Sequence, residues 1–105
     1  MLFVEMPVFS KVMAFTDDEL RAIQDVLVDN PEAGDLITGG RGLRKLRAAL
    51  SGRGKRSGAR VIYYWWASKS VCYLVFAYPK NVMEDLTDAQ LKTLARVMSE
   101  EIGHG

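Results

Sequence analysis

The pattern of apolar and polar positions predicts a helix near the start of the chain. Leu20, Ile23 and Leu27 recur at helical spacing. The preceding Thr16-Asp-Asp-Glu19 is a capping-box sequence, in which the threonine hydroxyl accepts a hydrogen bond from a helix amide and the glutamate accepts one from the cap residue. Asn30-Pro31 marks the predicted end of this helix.

A second capping box predicts the last helix of the chain. Thr87-Asp-Ala-Gln90 has the same pattern, and Gly103 is the predicted stop. Between these two signals lies an apolar stripe at helical spacing, which comprises Leu91, Leu94, Met98 and Ile102. The stripe predicts that this helix packs on the rest of the domain.

Runs rich in β-branched and aromatic residues predict the strands. Residues 2–9 are predicted as a short opening strand, and the proline within them favours a sheet edge. Residues 43–50 are predicted as a strand that continues into a loop. Residues 59–67 and 71–78 are separated only by Ser68-Lys-Ser70, which predicts an antiparallel hairpin.

The predicted order is β-α-β-β-β-α. It defines an α+β domain with a small antiparallel sheet of about four strands and helices packed on the sheet. The 105 residues suffice for one domain, residues 1–105, and are too few for two. Residues 34–42 hold four glycines and are predicted as a loop, but the Gly-Lys-Ser/Thr ending of a phosphate-binding Walker loop is absent.

Composition limits which cellular compartment and which kinds of site are expected. The chain is 49% hydrophobic and 26% charged, as is ordinary for a soluble globular protein. Cys72 is the only cysteine, lies in an apolar strand and indicates a reducing compartment. No signal peptide or membrane-spanning run is predicted, so we expect a cytoplasmic protein with no membrane association.

His104 is predicted to lie in the tail, and one histidine with one cysteine excludes a zinc site of the usual kind. No metal site and no small-molecule cofactor is predicted.

Charge is strongly segregated along the chain. Between Asp35 and Glu84 there is no Asp or Glu, and the net charge of +1 conceals this asymmetry. Eight cations crowd into 20 residues of this stretch: Arg41, Arg44, Lys45, Arg47, Arg53, Lys55, Arg56 and Arg60. A segregated positive surface steers polyanions toward itself, so nucleic acid is the first hypothesis for the partner.

Successive side chains of a strand point to opposite faces of the sheet, and this alternation predicts the face on which each cation lies. Lys45 and Arg47 share one face of their strand, and Arg60 lies on the face of Ile62, Tyr64 and Trp66. On the last strand Cys72, Leu74, Phe76 and Tyr78 are predicted to share a face. Trp65 points opposite to Trp66, so only one of the two is expected to fill the core, and the other is free to stack on a base. A hairpin would place Arg60 near the end of the last strand, which predicts a pocket formed by Lys45, Arg47, Arg60, Lys80 and Tyr78.

Three motifs resemble a known family. Gly42-Leu-Arg-Lys-Leu-Arg47, Gly-Ala-Arg-Val-Ile-Tyr-Tyr64 and Tyr-Pro-Lys-Asn81 with Glu84-Asp-Leu86 are similar to the RelE/HigB-type toxins of bacterial toxin–antitoxin pairs, especially the HigB-like branch. The resemblance implies a small RelE-like sheet fold and a ribosome-dependent messenger-RNA endonuclease. It also implies a cognate antitoxin of helix-turn-helix type as partner, besides the ribosome and mRNA.

The resemblance also assigns residues. Lys45 and Arg47 match the paired basic positions of the strand before the loop, Arg60 the arginine that opens the next strand, and Lys80 the basic position after the last strand. The family pattern there is Tyr-Ala-Lys-Asn, with Pro79 in place of the alanine in this chain. No tyrosine follows Tyr78, so the catalytic tyrosine of some RelE relatives is either absent or supplied by Tyr78.

RNA cleavage requires removal of a proton from a 2′-hydroxyl, stabilisation of the phosphorane and protonation of the leaving 5′-oxygen. No carboxylate or histidine is expected in the predicted pocket, so Lys45 or Lys80 is the candidate for proton transfer. Arg47 and Arg60 would grip the phosphate. Backbone contacts to RNA are predicted for Arg41, Arg44, Arg53, Lys55 and Arg56.

Three other readings of the same cations remain open. A non-catalytic RNA- or ribosome-binding module would use them with an exposed aromatic ring. A protein-binding module would dock an acidic partner on the basic face. DNA binding is disfavoured, because the first helix is acidic and the last is mixed in charge.

Overall fold

A computed structural model describes residues 1–50 and 58–104, with His104 described by its backbone only. The elements are β1 (Leu2–Glu5), α1 (Asp17–Asp29), β2 (Asp35–Leu36), β3 (Leu43–Ala49), β4 (Gly58–Trp66), a 3-10 helix (Ala67–Lys69), β5 (Val71–Pro79) and α2 (Asp88–His104). The α+β class and its RelE-like order are confirmed. One strand was not predicted: β2, whose two residues lie within the segment predicted as a loop.

The five strands form one sheet in the order β1-β5-β4-β3-β2. All neighbours are antiparallel except β1 and β5, which run parallel with Leu2 opposite Val71. The sheet is therefore mixed, whereas an antiparallel sheet was expected. The first strand does lie at a sheet edge, as the proline that follows it favoured.

Each face of the sheet carries its own core and its own helix. The α1 face buries Phe9, Ile23, Leu27, Leu46, Val61, Tyr63, Cys72, Leu74 and Ala77. The α2 face buries Met6, Leu43, Ile62, Tyr73, Val75, Tyr78, Leu94, Ala95 and Met98. Trp65 packs against the first core and Trp66 against the second. Their opposite directions are confirmed, but the expectation that only one tryptophan packs in a core is wrong, because both faces are covered.

A β-bulge in β5 changes the predicted faces of that strand. Ile62 pairs with Phe76, but the next residue, Tyr63, pairs with Leu74, so Val75 is an extra residue. Leu74 consequently faces α1, whereas Phe76 packs on the α2 side. The prediction that Cys72, Leu74, Phe76 and Tyr78 share a face is wrong for this reason.

Both predicted capping boxes are present. The Thr16 hydroxyl accepts from the Glu19 amide at 3.1 Å, and the Glu19 carboxylate accepts from the Thr16 amide at 2.9 Å. Thr87 and Gln90 make the same pair of bonds at 3.1 and 2.8 Å. The last helix runs one residue beyond the predicted stop at Gly103. In the described part of the chain, no helix combines the length and apolarity needed to cross a bilayer.

Candidate functional site

Three predicted site residues lie in a row across the sheet. Arg47 on β3 pairs with Arg60 on β4, and Arg60 pairs with Tyr78 on β5. Side chains directly opposite each other on antiparallel strands have Cβ atoms about 4.5–5.5 Å apart. We call these three residues the cationic row. It exists because alternation and hairpin register place all three side chains on the α2 face.

Arg47 and Arg60 differ in environment. Arg60 is only 7% exposed. Arg47 is exposed, lies beyond the two residues of β3 that pair with β2, and also borders a groove beside α1. Like charges directly opposite each other destabilise a sheet. Within residues 1–50 and 58–104, neither guanidinium has a carboxylate within 4.0 Å. An anion bound between them would relieve this repulsion.

Lys45 lies two residues before Arg47 on the same face of β3, opposite Ile62. Its Nζ is 2.5 Å from Oδ1 of Asp85, in the segment between β5 and α2. Both residues line a cavity of about 190 Å³. The remaining lining residues are Ile37, Thr38, Ile62, Tyr78, Leu86, Asp88 and Leu91.

Asp85 corrects one expectation. The prediction that the pocket holds no carboxylate is wrong, because the chain after β5 folds back over the sheet and brings Asp85 to Lys45. The Tyr78 hydroxyl donates to the carbonyl oxygen of Glu84 at 3.2 Å and so fixes this segment. One feature of the sequence could have indicated a carboxylate in the site: Glu84 and Asp85 are the first acids after the long acid-free stretch.

The charges of the site act on its titratable groups. The hydrogen bond from Lys45 lowers the pKa of Asp85, and the charge of Lys45 lowers it further. Desolvation opposes this change, and the charge of Arg60 makes the smallest contribution to lowering the pKa. Asp85 is therefore a carboxylate at neutral pH. The influence of Arg60 on Asp85 also means that the cationic row and the Lys45–Asp85 pair belong to one electrostatic site.

Tyr78 belongs to the packed layer below the site. It is 0% exposed. Burial raises the pKa of its phenol, the charge of Asp85 raises it further, and Arg60 opposes both. The phenol is therefore neutral and has no free surface. Its position suits the support of the segment around Glu84, rather than contact with a substrate.

Lys80 lies just beyond the cationic row. Its side chain is exposed, and its amide donates to the Gly58 carbonyl oxygen at 2.9 Å, extending the pairing of β4 and β5 past Pro79. The proline itself is accommodated opposite Ala59. The backbone of Lys80 therefore lies at the same end of β4 as Arg60.

The residues predicted to contact RNA are scattered. Arg41 is exposed in the turn before β3. Arg44 lies on the α1 face, where its guanidinium donates to the Gly34 carbonyl oxygen at 2.8 Å and pairs with Glu32 at 3.3 Å, so it already has a structural role. Arg53, Lys55 and Arg56 lie outside the described residues. The RNA contacts of all five stay predictions.

The donor set also bears on metals. No group of three or more His, Cys, Asp and Glu side chains placed to hold a metal ion occurs among the residues that the structure describes. The chemistry that this site offers is that of guanidinium and ammonium groups with two carboxylates at the cavity, Asp85, which is paired with Lys45, and Asp88. These groups bind phosphate and transfer protons.

The fold and this geometry define a class: a small α+β protein with two arginines directly opposite each other on its sheet, beside a cavity that is lined by Lys45 and Asp85. The model of the family described as the RelE toxin of the RelE / RelB toxin-antitoxin system matches residues 7–103. The chain belongs to the RelE toxin family. Membership implies a cognate antitoxin as partner. The match does not specify the HigB-like branch, which stays a prediction.

Proposed function

We propose that this protein is the toxin of a toxin–antitoxin pair and inhibits translation by cutting messenger RNA on the ribosome. The observation that carries the proposal is the direct opposition of Arg47 and Arg60 beside Lys45, on one face of a RelE-family sheet. Two arginines directly opposite each other, with no carboxylate within 4.0 Å of either guanidinium among residues 1–50 and 58–104, favour a bound phosphate over a purely structural role.

The phosphate would lie between the two arginines of the cationic row. Arg47 and Arg60 each offer a planar fork of donors to its non-bridging oxygens, and this fork suits a phosphorane as well as a phosphate. The charge that develops on those oxygens is stabilised by groups already in place. In this proposal the cations supply the stabilisation that a metal ion supplies in other nucleases.

Two protons must move. The 2′-oxygen attacks phosphorus and loses its proton, the bond from phosphorus to O5′ breaks, and O5′ gains a proton. The products are a 2′,3′-cyclic phosphate and a 5′-hydroxyl. Lys45 and Lys80 are the candidates for these transfers, and the bond to Asp85 orients Lys45 before the substrate arrives.

Such a site lacks a strong general base, so substrate positioning must supply much of the rate. Orientation of the reacting groups can contribute about 7–11 kcal/mol to lowering a barrier. The ribosome, which holds messenger RNA in an extended path, would supply that orientation. Action on the ribosome would place the protein in the cytoplasm. Family membership supports a cognate antitoxin as partner, and we propose that it is of the helix-turn-helix type.

The test is cleavage on programmed ribosomes. Purified protein, ribosomes and a defined messenger are mixed, and 5′ ends are mapped under single-turnover conditions. Arg60→Gln should reduce cleavage at least about 100-fold, since it removes a charged stabiliser of the phosphorane. Arg21→Gln, an exposed cation on α1, is the matched control and should cut normally.

Two outcomes would contradict the proposal. Intact messenger together with tight ribosome binding by the wild-type chain would instead identify a non-catalytic RNA-binding module. Normal cleavage by Arg60→Gln, with circular dichroism showing the native fold in both variants, would remove the cationic row from the chemistry.

A further inference from the structure

A second cationic groove lies between the turn before β3 and the last helix. Its cavity is about 490 Å³ and is lined by Gly39, Arg41, Lys92, Ala95 and Arg96. We call these residues the helix groove. Three of the five carry positive charge and none is acidic.

The turn holds Arg41 in a fixed position. Arg41 has φ of 54°, in the left-handed region that non-glycine residues rarely occupy, between Gly39 at 77° and Gly42 at 99°. Backbone hydrogen bonds close this turn, from Gly40 to Ile37 at 2.9 Å and from Leu43 to Gly40 at 3.2 Å. The side chain of Arg41 is therefore presented to α2 by a constrained backbone.

The helix side of the groove adds two cations one turn apart. Lys92 and Arg96 are at i and i+4, a spacing at which the side chains are neighbours and like charges repel each other. The ion pairs of the described residues include none of the three cations of the groove. The helix residues four before Lys92 and four after Arg96 are acidic, Asp88 and Glu100, but neither lines the groove. The lining of the groove is therefore positively charged and suited to an anionic ligand.

The helix groove continues the cavity of the candidate site. Thr38 and Leu91 line that cavity, and the residues that follow them directly, Gly39 and Lys92, line the groove. A Cβ placed on Gly39 would lie 4.0 Å from Cδ2 of Leu91, so the turn and the helix approach each other there. The site cavity and the helix groove are therefore neighbours on the surface between the turn and α2.

We propose that the helix groove binds the phosphate backbone of the RNA strand next to the scissile phosphate. This inference rests on the proposed function and extends the same site. The groove offers charge and no aromatic ring, which suits phosphate contacts that position a strand without reading its sequence.

The test measures binding separately from cleavage. A short fluorescent 2′-O-methyl RNA, which has no 2′-hydroxyl to attack, is titrated with the full chain at several salt concentrations. The variants are Lys92→Gln, Arg96→Gln and both combined with Arg41→Gln. Each lost phosphate contact should lower the slope of log Kd against log salt by about 0.7, hence by about 2 for the triple variant.

The exposed cation Arg21 on α1 again provides the control, since Arg21→Gln should keep the wild-type slope. All substituted side chains in the groove are exposed. The single variants therefore still measure the change in salt dependence if the triple variant does not fold. Wild-type slope and affinity in the single and triple variants, or no binding of the oligonucleotide by the wild-type chain at low salt, would overturn the inference. Binding lost in the groove variants with no cleavage by the wild-type chain would uphold the groove and reject the nuclease.

Discussion

At the scale of single residues, Asp85 is the member of the site with the least obvious role. A carboxylate beside Lys45 weakens the attraction for phosphate, yet it fixes an otherwise mobile ammonium group. Preorganisation of this kind favours the reaction step at the expense of binding. Asp85 should therefore lower the affinity for RNA and raise the cleavage rate, and these two effects can be separated by measuring both quantities.

Asp85→Asn should therefore bind RNA more tightly and cut it more slowly. Loss of one negative charge at contact distance in water corresponds to about fivefold tighter binding. Loss of the orientation of Lys45 should slow single-turnover cleavage about 10- to 100-fold. Kd from anisotropy and the cleavage rate at saturating protein measure the two effects. Glu84→Gln, the neighbouring acid, is the matched control, and equal losses in both variants would mean that only overall charge matters.

The same carboxylate links stability to pH. Because the folded pKa of Asp85 lies below its ordinary value of 3.8, its contribution to stability is present above that pH and is lost as pH falls through the folded pKa. The difference in unfolding free energy between the wild type and Asp85→Asn should shrink below about pH 4. Urea titrations at several pH values would show it, and a constant difference would contradict the ion pair.

At the scale of elements, the last helix is anchored at the site. Its N-terminal residues Asp88 and Leu91 line the site cavity, and the Thr87–Gln90 capping box fixes where the helix starts. Thr87→Ala should lower the unfolding free energy by about 1 kcal/mol, whereas Thr87→Ser should keep most of it. Urea denaturation measures both, and equal losses in the two variants would exclude a capping role for the hydroxyl.

Local patterns predicted the elements that depend on neighbouring residues. The capping boxes, the hairpin around Ser68 and the common face of Lys45, Arg47 and Arg60 all follow from spacing within short segments. Non-local contacts were not predictable in the same way. The parallel pairing of Leu2 with Val71 depends on two segments that are far apart in the sequence.

The bulge and the missed carboxylate have related causes. Val75 does not differ in type from the other apolar residues of its strand. The sequence therefore gave no sign that the alternation of side chains between the two faces shifts by one residue there. Asp85 lies in an irregular segment, for which neither strand nor helix periodicity gives a direction. Half of the site could thus be derived from strand geometry, and the half formed by the returning chain could not.

At the scale of the whole molecule, charge is divided between the two faces of the sheet. The helix α1 carries five acids and one base and covers one face, whereas the cationic row and the helix groove lie on the α2 side. A polyanion should therefore approach from the α2 side. The molecule measures 22 Å along its shortest principal axis, which is longer than the physiological screening length of about 8 Å.

That distance gives the last prediction. The screening length is about 30 Å in 0.01 M salt and about 8 Å at physiological ionic strength. Neutralising two exposed acids of α1, in Asp25→Asn with Asp29→Asn, should therefore raise the association rate for RNA at about 0.01 M salt and leave it unchanged at about 0.15 M. Stopped-flow fluorescence with the 2′-O-methyl RNA measures both rates. Lys80→Gln, beside the cationic row, should lower the rate under both conditions because its charge lies along the path of the ligand. An equal gain for the α1 variant at both salt concentrations would mean that RNA passes close to α1, and the assignment of one binding face would then be wrong.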